Sequence, residues 1–118
     1  MARYGALRNL SLVTAAADTA TGGFYVPAGV EAITIIAPNL TTDTTYTLQV
    51  LDPDTQEGGT ETWGSLNVYD LIDGTNKAVT DIPDNVTVHI PGIYGPLVLR
   101  ISFTTAQVAT FKILLHGA

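Results

Sequence analysis

Apolar and polar residues alternate with a period of two along most of this chain. In Tyr46–Val50 the apolar positions are Tyr46, Leu48 and Val50, with Thr47 and Gln49 between them. From Leu97 to Phe103 one face is Leu97, Leu99, Ile101 and Phe103, and the other carries Arg100 and Ser102. Val86, Val88 and Ile90 alternate with Thr87 and His89, and Phe111, Ile113 and Leu115 with Lys112, Leu114 and His116. Successive side chains of a strand point to opposite faces, so the pattern predicts strands with one face buried and one wetter. On this phase Leu99 and Ile101 point inward and Arg100 outward. Further strands are expected at about Asn9–Thr14, Phe24–Val26, Val30–Ala37 and Ser65–Ile72, with a short one near Lys77–Ile82. Gly, Pro, Asn and Asp clusters separate them, among them Thr21-Gly22-Gly23, Pro27-Ala28-Gly29, Asp73-Gly74, Pro83-Asp84-Asn85 and Gly95-Pro96. No amphipathic helical window of useful length stands out. Short strands at such spacing predict an all-β fold, a single β-sandwich or jelly-roll-like domain. The domain is expected over residues 9–118, after an N-terminal arm of residues 1–8. Asp52–Thr62 reads as an acidic loop too long for a tight hairpin.

Composition sharpens this picture. At 118 residues the chain is one ordinary domain, long enough to bury a core without staples. Apolar residues are 46% of the chain and charged ones 14%, which excludes a charge-rich disordered chain and hints at surface covered by a partner. With no cysteine, disulfides and thiolate metal sites are excluded. No apolar run reaches the ~18 residues of a membrane span. Asn9, Ser11 and Thr14 interrupt what would be the apolar core of a signal peptide, so none is expected. The net charge is −6, and no Lys or Arg occurs between Arg8 and Lys77. Nucleic-acid affinity comes from Lys and Arg displacing counterions, so direct nucleic-acid binding is not expected, nor docking on an anionic membrane.

Candidate chemistry is sparse. Asp52-Pro53-Asp54-Thr55-Gln56-Glu57 begins like a calcium loop, but Glu57 stands where the EF-hand turn needs Gly. The two histidines, His89 and His116, lie on the polar phase of two strands; they could share a metal, but nothing in their spacing requires it. Ser65 follows Gly64 without the rest of a nucleophile elbow, and no phosphate-binding glycine loop appears. The Asn9, Asn39 and Asn85 glycosylation matches are chance matches in a Thr-rich chain. The expectation is a protein that is no enzyme, with no catalytic residue, metal site or cofactor. Trp63, the sole tryptophan, follows the acidic loop. It either anchors that loop at the sandwich edge or serves as an interface hot spot or sugar-stacking platform. The arm holds Arg3, Tyr4 and Arg8, residue types enriched at interfaces, on a chain whose body is acidic. Candidate partner-binding residues are therefore Arg3, Tyr4, Arg8 and Trp63.

The run Ile33-Thr34-Ile35-Ile36-Ala37-Pro38-Asn39-Leu40, then Tyr46-Thr47-Leu48-Gln49-Val50, then Thr62-Trp63-Gly64-Ser65-Leu66, resembles the small head decoration, or cement, proteins of tailed bacteriophages. Val86–Pro91 and Leu97-Val98-Leu99-Arg100-Ile101-Ser102 continue the likeness, which spans roughly Val30–Leu115. The stretch Asp70–Asp84 departs from it. The resemblance implies a virion protein on the outer capsid surface, made in the host cytoplasm. Its partner would be the major capsid protein, whose subunit contacts it reinforces, together with contacts between its own copies or a homo-oligomer. The alternative is a carbohydrate-binding or adhesin-like β-sandwich module with Trp63 in its platform.

Overall fold

The computed structural model describes residues 6–56 and 60–117. Its strands are β1 (Ala6–Val13), β2 (Phe24–Val26), β3 (Val30–Ile36), β4 (Thr45–Leu51), β5 (Trp63–Ser65), β6 (Asn67–Asp70), β7 (Thr75–Ala78), β8 (Ile82–Pro83), β9 (Thr87–Pro91), β10 (Leu97–Ser102) and β11 (Thr110–Gly117). One helical turn, α1 (Pro53–Gln56), interrupts the expected acidic loop. Pro53 suits a first helical position, and the carboxylate of Asp52 accepts the Asp54 N–H at 3.0 Å.

Two antiparallel sheets face each other. The first has the order β1-β11-β3-β9; the second has β2-β10-β4-β5, with β8 also pairing with β4. Setting β6, β7 and β8 aside leaves eight strands, and their distribution over two four-stranded sheets is that of a jelly roll. The hairpin β6–β7 forms its own two-stranded sheet and is an insertion in this frame, between the strands that leave one sheet and enter the other.

The alternation decides the packing. Phe24, Val26, Leu48, Leu99 and Ile101 from one sheet meet Ile33, Ile35, Phe111, Ile113 and Leu115 from the other in a single buried cluster. Leu99 and Ile101 are fully buried and Arg100 lies on the opposite face, as the period-two reading expects. Phe111 sits at the centre, edge-on to Tyr46 at 5.3 Å between centroids and stacked on Phe103 at 6.2 Å. Gly95 fits at one end because a Cβ there would lie 1.9 Å from the Pro27 carbonyl oxygen, a contact that only glycine avoids.

The opposite end is closed by polar groups. The Asp43 carboxylate accepts the N–H groups of Thr104 and Thr105 and the side-chain amide of Gln107. Gln107 in turn accepts the Thr41 N–H at 2.7 Å, and buried Thr14 donates its hydroxyl to the Gln107 carbonyl, also at 2.7 Å. Three loops distant in sequence are joined by this set, which satisfies backbone groups that no sheet ladder reaches.

The short strand expected near Lys77–Ile82 is instead the end of β7 and the start of β8, with residues 79–81 outside both, and two other expectations also change. The first strand starts at Ala6, not Asn9, because Ala6 and Arg8 already pair with His116 and Leu115 across a register irregularity. Residues 6–8 thus belong to the sandwich rather than to an arm. The stretch expected as one strand, Ser65–Ile72, is divided. Leu66 is buried and ties back to Leu48 and Val79 through backbone hydrogen bonds, and Leu71 and Ile72 lie in a turn beyond β6.

Tyr46 is 2% exposed, and its hydroxyl has no hydrogen-bond partner among the described residues. Burial, with the nearby Asp84 charge, pushes its ionisation far above the ordinary phenol range, so the ring stays neutral. A buried hydroxyl without a partner costs about 1–3 kcal/mol. Tyr46→Phe keeps the ring contacts and removes that cost. Its melting temperature is expected to equal or exceed that of the parent chain, and a fall of several degrees in calorimetry would contradict this account.

Candidate docking surface

The insertion hairpin is held at its base and free at its tip. Val79 donates its N–H to Leu66 at 2.7 Å, Leu48 to Val79 at 3.1 Å, and Val68 packs against the core. Beyond that base every residue of β7 is exposed. The tip is ordered by its own chemistry. Asp70 accepts the Ile72 N–H at 2.9 Å on its carboxylate, and its carbonyl accepts the Gly74 N–H at 2.7 Å. Gly74 has φ +70°, the left-handed conformation that such a turn needs. Lys77 bridges Asp70 at 3.0 Å and also pairs with Asp73. The Lys77 hydrogen bond, helped by the Ile72 and Asp73 N–H groups, lowers the Asp70 carboxyl below the usual range. This aid to the turn is present at neutral pH and is lost as the pH falls through that lowered value.

The ordered turn holds out two aliphatic side chains: Leu71 is 87% exposed and Ile72 95%. Tyr69 and Tyr94 are exposed beside them. Between the hairpin and edge strand β9 runs a cleft of about 670 Å³, floored by Val68, Ile90 and Pro91 and flanked by His89, Asp70 and Lys77. Single exposed aliphatics are ordinary, but an adjacent pair on a raised turn beside an apolar cleft is a candidate for docking.

Trp63 lies on the outer face of the second sheet. The Arg100 guanidinium stands over its ring at 4.5 Å, and the Arg100 Nε donates to Gln49 at 2.7 Å. Burial lowers the Arg100 pKa, and Glu61 opposes that shift. The far edge of the indole covers Gly23, where a Cβ would come within 3.1 Å of Cη2. The half-buried ring is thus a packed element of the sheet surface, and a sugar stacking on the Arg100 side would have to displace that guanidinium. Nearby, Tyr25, Leu51, Pro53, Pro96, Leu97 and Val98 line a smaller hollow of about 400 Å³.

Of the four partner-binding candidates, the structure describes Arg8 and Trp63 and does not bring these two together. Arg3 and Tyr4 lie outside the described residues. Arg8 is in β1 of the first sheet, and Trp63 is in β5 of the second. The sequence reading missed Leu71 and Ile72. The available signal was the break in alternation at two adjacent aliphatics between Asp70 and Asp73, directly before Gly74. In the acidic loop, the Asp52 carboxylate accepts a backbone N–H, and Thr55 accepts the Thr62 N–H at 2.9 Å. Among the described residues, no group of three or more His, Asp or Glu side chains converges on one point.

No protein-family model matches the chain, and no curated protein matches its sequence. Among solved structures, that of the SPBc2 prophage-derived protein YomS is similar, with a TM-score of 0.50 and 12% sequence identity. The match covers 92% of this chain and 93% of that one. At such identity the likeness is one of fold: nearly the whole chain follows the architecture of a prophage-derived protein.

Proposed function

We propose that this chain is a virion structural protein of a tailed bacteriophage, most specifically a capsid decoration protein. It binds the outside of the head and reinforces contacts between major capsid protein subunits, with further contacts between its own copies. The fold likeness to a prophage-derived protein supports a phage setting. The observation that carries the docking role is the ordered hairpin tip with its exposed Leu71–Ile72 pair. Such a protein does its work by contact, through a rigid sandwich and projecting groups, and needs no catalytic set. It reaches the virion surface after synthesis in the host cytoplasm.

The test adds purified full-length chain to phage heads lacking it. Saturable co-sedimentation is expected, in a fixed ratio to the major capsid protein, with heads that survive a higher temperature after addition. Heads that neither bind the chain nor gain heat resistance would overturn the proposal.

A further inference from the structure

The register of the first sheet places the chain's two histidines around one hydroxyl. Thr34 of β3 pairs directly with His89 of β9, and His116 of β11 pairs with Ala32, one step along the same face. Outward residues on neighbouring strands and their diagonals are within reach of long side chains. His89 Nδ1 lies 3.0 Å from Thr34 Oγ1, and His116 Nε2 lies 2.7 Å from the same oxygen. The two rings are 5.3 Å apart, inclined at 66°. A hydroxyl has one proton, so it donates to one of these nitrogens and accepts from the other. Both rings therefore aim a nitrogen at one small region, although 26 residues separate them in the chain.

We infer that His89 and His116 form a surface site for a divalent transition metal such as Zn²⁺ or Ni²⁺. Imidazole nitrogen suits these ions, which bind it at about 2.0–2.1 Å. His89 is exposed, so its ring can turn to bring its nitrogen onto a shared ion. The rigid central strand β3 fixes the spacing of the two flanking strands, so the backbone need not be ordered on binding. The paired positions around the two rings include Asn9, Ser11, Lys112, Thr34 and Thr87, while exposed Glu31 stands unpaired at the bulge opposite His116 and Gly117. Among the described residues no third His or carboxylate completes the set. Two imidazoles leave coordination positions for Thr34, for water, or for a donor from a second molecule resting on the sheet.

The full chain titrated separately with ZnCl₂, NiCl₂ and CaCl₂ tests this inference, followed by calorimetry and by histidine-ring ¹H–¹⁵N NMR. One Zn²⁺ or Ni²⁺ per chain is expected, with ring-nitrogen shifts on both histidines and a raised melting temperature. His89→Ala and His116→Ala should each weaken binding by at least about tenfold, while the metal-free melting temperature of each variant stays near that of the parent. Thr34→Val should keep most of the affinity, since the imidazoles are the ligands. Saturation by Ca²⁺ at the same concentrations, or Zn²⁺ binding undiminished in the double histidine variant, would place the ions on the acidic loops and overturn the assignment. So would the lack of any saturable Zn²⁺ or Ni²⁺ binding.

Discussion

Phe111→Ala is expected to remove about 3–5 kcal/mol of stability, a large part of the roughly 5–15 kcal/mol that holds a domain of this kind together. Phe111 is fully buried on β11, an inner strand of the first sheet, and it contacts Tyr46 and Phe103 across the sandwich. Truncation loses the transfer free energy of the ring and leaves a cavity between two sheets whose backbones are fixed by their ladders. Neither sheet can collapse into it without breaking hydrogen bonds to β1 or β3, so the cost should fall in the upper part of the usual range. Urea denaturation should show a lower midpoint with an unchanged slope. Phe111→Leu should lose distinctly less, and Val108→Ala, at a 63% exposed position, should stay within about 0.5 kcal/mol. A Phe111→Ala loss near that of Val108→Ala would mean that the sheets close over the gap and that the core is less tightly specified than its burial indicates.

The same positions explain what was legible beforehand. Period-two alternation is a local signal, and it held wherever one face is dry: Phe24–Val26 is a strand at its expected bounds, and Leu99 and Ile101 are buried around Arg100. Pairing is not local. β1 joins β11 across most of the chain and β3 joins β9 across nearly half of it, so the sheet order that identifies the jelly roll had no signal in any window of sequence. The strand start expected at Asn9 falls three residues late for this reason. Ala6–Arg8 carries no alternation of its own and is a strand because β11 offers it a ladder. The histidines illustrate it again: each sat on the expected polar phase, but only the register through Thr34 brought them together. Trp63 was legible as an edge residue, while Arg100, which covers its ring, came from a strand far along the chain.

The stretch that departs from the decoration-protein resemblance, Asp70–Asp84, begins within the insertion hairpin and runs through β8 to the return into β9. In a frame of eight strands, the core must be conserved in volume and phase, while an insertion between two strands changes neither. Such an insertion is where a shared fold can acquire its own partner. A hairpin of two strands is marginal in water by itself. This one is fastened at Leu66 and Val79 and tied at its tip by Asp70, which makes it a stiff projection.

Replacing Leu71 and Ile72 together with Ser is therefore expected to abolish attachment to heads while leaving the fold intact. Both side chains are almost wholly in solvent, so the melting temperature should hardly move. If they insert into an apolar pocket on a capsid subunit, each contributes about 1.5–3 kcal/mol through burial. Loss of both then weakens binding by roughly 100-fold or more, at about 1.4 kcal/mol per factor of ten. Hydrophobic burial gains little from salt screening, so the defect should persist when ionic strength is varied, unlike that of a charge variant such as Lys77→Ala. Val108→Ser, an exposed aliphatic position in the loop between β10 and β11, serves as the matched control and should decorate normally. Co-sedimentation with heads lacking the chain, at concentrations spanning the parent's half-saturation point, reads the difference directly. Should the double variant decorate as well as the parent, the hairpin tip is not the anchor. The contact would then fall to the outer face of one sheet or to the hollow beside Tyr25 and Pro53, and Tyr25→Ser would become the discriminating variant.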